Sequence, residues 1–145
     1  MPTNFSNRRS RRLGFQPLEE RTLMAGDVGA VLSNSTLTLT GDANANDVQV
    51  IQNVDARGTL IPGDFSVVGY GTTISGLSNR RFTGVGNINV ALGNGDDHLR
   101  LGPFASNPPL ANNMTINGFL NIDMGEDNNE LRLQGITVGG QALIN

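Results

Sequence analysis

Two stretches of this chain align without a gap at a spacing of 32 residues. The first is Ile88-Asn89-Val90-Ala91-Leu92-Gly93-Asn94-Gly95-Asp96-Asp97-His98-Leu99-Arg100-Leu101. The second is Leu120-Asn121-Ile122-Asp123-Met124-Gly125-Glu126-Asp127-Asn128-Asn129-Glu130-Leu131-Arg132-Leu133. The apolar positions, a glycine, a polar turn and a Leu-Arg-Leu coincide. A looser copy runs Leu37-Thr38-Leu39-Thr40-Gly41-Asp42-Ala43-Asn44-Ala45-Asn46-Asp47-Val48-Gln49-Val50. Each copy reads strand, polar turn, strand, because apolar and small polar residues alternate with a period of two. A shorter echo sets Met114-Thr115-Ile116-Asn117-Gly118 22 residues before Ile136-Thr137-Val138-Gly139-Gly140.

A unit that recurs every 20 to 50 residues or so cannot bury its apolar face alone; it buries it against its neighbours. The expected fold is therefore all-β: a small right-handed parallel β-helix, or solenoid, over residues 28–145. A disordered segment, residues 1–27, precedes it. Inward Val, Ile and Leu stack on their equivalents in the next coil, and outward Asn forms ladders. Composition agrees. The chain has 19 Gly and 18 Asn, which suit tight turns with positive φ. The alternative is a β-sandwich, which needs the same strands but no repeat. In either fold Phe65, Phe82 and Phe119 are expected in the core.

Several functions are narrowed by what the chain lacks. Without Cys there is no disulfide framework and no thiolate metal site; without Lys there is no Schiff base and no phosphate-loop lysine. The net charge of −3 is uneven. Residues 1–21 hold five Arg and two acids, and the rest holds five Arg and eleven acids. A mildly acidic body is a poor nucleic-acid partner. No segment approaches the roughly 18 apolar residues of a transmembrane span.

Residues 1–12 are mostly Pro, Asn, Ser and Arg, without apolar periodicity. Beyond them Leu13, Phe15, Leu18, Leu23 and Met24 are interrupted by polar and charged residues, so an ordinary secretory apolar stretch is missing. Phe15-Gln16-Pro17-Leu18-Glu19-Glu20-Arg21-Thr22-Leu23-Met24-Ala25-Gly26-Asp27 resembles the N-terminal LEPR-XLL-type motif of planctomycete surface and exported proteins. Pro17, Leu18, Glu19, Arg21, Leu23, Met24 and Ala25 carry the resemblance. Phe15, Gln16 and Met24 depart from its usual Leu, Glu and Leu. The resemblance implies a sorting role and a location at the cell surface or outside the cell. The competing reading is a short amphipathic helix, Leu18 to Ala25, packed on the domain.

Gly93-Asn94-Gly95-Asp96-Asp97-His98-Leu99 resembles one nonapeptide of the RTX, haemolysin-type calcium-binding family, with Leu92 in place of the first Gly. That resemblance implies calcium as cofactor, Asp97 as carboxylate ligand, and Asp96, Gly93 and Gly95 in the same turn. Calcium takes about 6–8 oxygens, and the aligned copies hold Asn46 and Asn129 where the ligand Asp belongs. The alternative is that Asp and Asn hold the turns by bonding to backbone.

His98 is the single histidine, and Ser78 and Ser106 lack a nucleophile motif. The function expected is non-enzymatic: an exported or cell-surface protein with a structural or interaction role. A weak calcium-binding module is the first alternative. The second is an enzyme on acidic polysaccharide using Asp96, Asp97, Asp123, Arg100 and Arg132. The excursions Asp55–Asp64 and Gly102–Asn113 look short for a substrate cleft, and Arg100 and Arg132 are expected to stack outside neighbouring coils. Expected partners are the envelope, a polysaccharide, or the chain itself through the edge of the strand Ala142-Leu143-Ile144.

Overall fold

The computed structural model describes residues 26–103 and 113–145, and every element in them is a strand. The chain is all-β. It opens with a hairpin of β1 (Asp27–Ser33) and β2 (Thr36–Thr40). Asn34 and Ser35 between them both have positive φ, 49° and 58°. Two such residues form the turn whose twist matches paired strands. β3 (Asp47–Val54) and β4 (Leu60–Gly69) make a second antiparallel pair, with a register shift between Gln52 and Val54. β5 (Thr73–Ile74) runs parallel to β1, and β6 (Asn79–Thr83) antiparallel to β4.

From β7 (Asn87–Ala91) onward the pattern changes. β8 (His98–Leu101), β9 (Met114–Ile116), β10 (Leu120–Asp123), β11 (Glu130–Leu133), β12 (Ile136–Val138) and β13 (Ala142–Ile144) pair with each other or with β2 and β3, always in parallel. One sheet has the order β13-β10-β7-β2-β1-β5, a second β11-β8-β3-β4-β6, and a third β12-β9.

The parallel registers follow the internal copies. Leu37 pairs with Ile88 and Ile88 with Leu120; Val48 pairs with Leu99 and Leu99 with Leu131. Met114 pairs with Ile136. Like residues therefore sit on like, and Leu37, Ile88, Leu99 and Ile122 are sealed in one core. Each such side chain contributes about 1.5–3 kcal/mol by leaving water.

Four expectations need correction. The sheets are mixed rather than parallel throughout: β1, β4 and β6 run antiparallel to neighbours, because short connections return the chain directly beside the strand it just left. For the same reason Asp55–Asp64 is not an excursion; it is the β3–β4 turn and the start of β4. Phe65 and Phe82 are buried, but Phe119 is 39% exposed. It precedes β10 by one residue, and since Leu120 points inward, alternation turns Phe119 out. Asp27, assigned to the leading segment from sequence, begins β1 and accepts a bond from Gly76 N (2.9 Å). Pro17, Leu18, Glu19, Arg21, Leu23, Met24 and Ala25, which carry the LEPR-XLL-type resemblance, and most of Gly102–Asn113 lie outside the described residues.

Candidate functional site

The three polar turns stack as their strands do. Asn46, Asp97 and Asn129 occupy equivalent positions and form an inner ladder. Asn46 donates from its backbone N (2.8 Å) and from Nδ2 (3.1 Å) to Asp97 Oδ1. Asp97 N donates to Asn129 Oδ1 (2.9 Å). Backbone bonds run beside these, from His98 N to Asn46 O (2.7 Å) and from Glu130 N to Asp97 O (2.8 Å).

The middle rung differs from the outer two. Asn129 Nδ2 donates to Met124 O (3.1 Å) and Glu126 O (2.9 Å), so the amide closes its own turn. Asn46 Nδ2 does likewise to Asn44 O (2.9 Å). Asp97 has an oxygen where those residues have an NH2. Its Oδ2 is buried and has no partner among the described residues, and neither does Asn46 Oδ1. Burial pushes the Asp97 carboxyl above the ordinary carboxylate range. Bonds from Asn46 pull it partly back, while the charges of Asp42 and Asp127 push it up further.

The outer edges of the turns use other residues. Gly95 N donates to Asp127 Oδ2 (3.1 Å), and Asn128 N donates to Asp96 Oδ1 (3.2 Å). Glycine is required where turns touch. A Cβ on Gly125 would lie 1.6 Å from Gly93 O, and one on Gly95 2.7 Å from Asn44 O; both residues have positive φ. Asp127, in the place of Gly95 one rung on, accepts φ 81° itself.

The sequence-predicted calcium residues thus share one turn but not one direction. Gly93, Gly95 and Asp96 lie toward the outside, and Asp97 is sealed inside. Among the described residues no three His, Asp or Glu side chains gather closely enough to hold a metal ion.

A second cluster lies on the outer face of β3, β8 and β11. Parallel register sets Asp47, His98 and Glu130 in one column, and Gln49, Arg100 and Arg132 in the next. Arg100 binds Asp47 with two bonds, Nη1–Oδ1 at 2.7 Å and Nη2–Oδ2 at 3.1 Å. Its guanidinium lies 5.1 Å from the Tyr70 ring centroid, and Tyr70 Oη donates to Gln49 Oε1 (2.7 Å). Arg132 Nε donates to Glu130, whose carboxyl is held below its ordinary range by that bond. Arg100 and Arg132 therefore stack with a carboxylate beside each. His98 stands between Asp47 (4.0 Å) and Glu130 (3.9 Å). Both distances exceed a hydrogen bond, so the contact is an electrostatic one that exists when His98 is protonated. Sequence reading missed Asp47 and Tyr70 here. The alignment of residues 37–50 with 88–101 does carry the signal for Asp47, since it sets Asp47 opposite His98; nothing local marks Tyr70.

A third cluster backs the β4–β6 pair. Asp64 is buried and bound by Arg81 through two nitrogens and by Asn53 Nδ2 (2.7 Å). The Arg81 bonds hold the Asp64 carboxyl below the usual carboxylate range.

Among the described residues no helix is long and apolar enough to cross a membrane. The chain matches no protein-family model, no curated protein and no solved structure.

Proposed function

We propose that this chain is a short right-handed β-solenoid with a non-enzymatic structural or interaction role, exported or held at the cell surface. The observation that carries it is the in-register stacking of three copies of one strand–turn–strand unit, Leu37–Val50 on Ile88–Leu101 on Leu120–Leu133. The ionic groups on the outer face support the same reading: Asp47 on β3 pairs with Arg100 on β8 and so ties two neighbouring rungs together. The location rests on the LEPR-XLL-type resemblance of Pro17 to Ala25. Residues 1–27 fused to a reporter test it in a planctomycete host: the expected result is delivery to the envelope or medium. A reporter retained in the cytosol overturns it.

A second reading, a weak calcium-binding module of RTX type, is favoured by one observation. The unpartnered Oδ2 of Asp97 lies where the neighbouring rungs direct an N–H at turn carbonyls. A cation bound at Oδ2 would take the place of the N–H that Asn46 and Asn129 supply in their own turns. The expected signature is a melting temperature raised by millimolar calcium over chelator in the wild type and not in Asp97→Asn. Identical melting in both conditions rejects this reading and leaves the first.

A further inference from the structure

The stacked turns join the sheet of β2, β7 and β10 to the sheet of β3, β8 and β11, and they gather carboxylates on one edge of the molecule. Asp42, Asp96, Asp123, Glu126 and Asp127 belong to that edge. Among the described residues none of the five has an ion-pair partner. Asp47, Asp64 and Glu130, elsewhere on the body, each have an Arg. Residues 22–145 hold eleven acids and five Arg, an excess of six. The five edge carboxylates are thus nearly the whole excess. Like charges on neighbouring rungs oppose the stack.

A second observation shows which part of the chain meets this edge. Gly26 is buried against the first turn: a Cβ on it would lie 2.1 Å from Asn46 Oδ1 and 3.0 Å from Ala45 O. Asn46 is 1% exposed, and that Oδ1 has no partner. A bare buried acceptor is therefore aimed at the point where the leading segment joins the body. One residue on, Asp27 N donates to Asp42 Oδ2 (3.1 Å). The leading segment has the complementary charge. Residues 1–21 hold five Arg and two acids, and Arg8, Arg9, Arg11 and Arg12 stand within five positions. Fourteen positions separate Arg12 from Gly26, a reach of at most about 50 Å. The edge is three rungs, about 10 Å, tall. The arginines can reach every rung of it.

We propose that Arg8, Arg9, Arg11 and Arg12 bind the acidic turn edge of their own chain. The edge is then an intramolecular dock for the leading segment, closed at low ionic strength and opened by salt. The inference uses the stacked turns and is independent of where the chain is delivered. The chain has no Cys, so Ser10→Cys carries a single nitroxide between Arg9 and Arg11. Amide signals of the isotope-labelled full chain, in chelator at low ionic strength, report where that label sits. Gly95, Asp96, Glu126 and Asp127 are expected to fall to about half intensity or less, because a short tether gives millimolar effective concentration. Gly58 lies in the β3–β4 turn, beyond an eight-residue strand and about 25 Å away, and keeps its intensity. About 1 M salt is expected to restore the edge signals. At low salt, Gln at all four arginines restores them, and so does Asp96→Asn with Glu126→Gln. Those body variants keep the side-chain shapes and the acceptor for Asn128 N, so the sheet amides stay in place. Edge signals no weaker than Gly58, weakening that survives 1 M salt, or weakening indifferent to the arginines would each overturn the proposal. Equal weakening from a nitroxide on a second copy also overturns it, since the contact is then between chains. Unshifted sheet amides in those cases leave the stacked-strand reading standing.

Discussion

Asp97→Asn is the substitution that most sharply tests how the turns are held. In the wild type, Asp97 Oδ2 is buried without a partner. Asn129, one rung away, shows what an amide does there: its Nδ2 bonds Met124 O and Glu126 O. The equivalent carbonyls around residue 97 belong to Leu92 and Asn94. Asn at 97 keeps Oδ1 as the acceptor for Asn46 and supplies the missing donor. A buried unsatisfied polar atom costs about 1–3 kcal/mol, and a new internal hydrogen bond contributes about 0.5–1.5 kcal/mol. The variant is therefore expected to be about 2 kcal/mol more stable at neutral pH in the absence of calcium, roughly 5–10 °C in Tm. The pH dependence is specific. The folded-state pKa of Asp97 lies above its unfolded value of 3.8, so the stability contributed by its protonated form is complete below 3.8 and is lost as pH rises through the folded value. The advantage of Asp97→Asn should then be largest at neutral pH and shrink as pH falls toward 3.8. Urea unfolding of both proteins from pH 7 down to pH 4, in chelator, measures it. A variant less stable than wild type at neutral pH, or a difference indifferent to pH, refutes the reasoning.

Three further outcomes follow from the same packing. Leu99→Ala empties a fully buried position between Val48 and Leu131 and is expected to cost about 2–5 kcal/mol, read from the urea midpoint. Gly125→Ala meets Gly93 O at 1.6 Å with φ at +78°, so neither the backbone nor the next turn can stay in place. A loss of roughly 1–3 kcal/mol is expected in thermal melts, and an unchanged Tm counts against the stacked turns. Asp64→Asn removes a carboxylate whose folded pKa lies below 3.8; its stabilisation is present above 3.8 and lost as pH falls through the folded value. The variant is expected to be less stable at neutral pH and to converge on wild type in acid, as followed by circular dichroism.

Much of the fold was legible because the pairing is parallel and the chain repeats. When one unit stacks on its copy, a gapless alignment of the sequence is also the register of the sheet. Hence Ile88 lies beside Leu120, Leu37 beside Ile88 and Met114 beside Ile136. The antiparallel strands had no such signal. β4 and β6 resemble no other segment, and Asp55–Asp64 looked like a loop because Asp, Gly and Pro punctuate it. Phe119 was placed inside on hydrophobicity, whereas its position next to inward Leu120 turns it out.

The candidate site divides the same way. The spacing of Gly93, Gly95 and Asp97 marked a tight turn, and the alignment put Asn46 and Asn129 level with Asp97. Neither could say which way the carboxylate faces. By itself the sequence determined the strand–turn–strand unit and its repetition, because alternation and glycine-dependent turns are local properties of the backbone. The tertiary structure decided that Asp97 points into a sealed ladder and that Asp47 reaches Arg100 across 53 residues. Those outcomes depend on which rungs lie above and below, and only the stacked chain places them there.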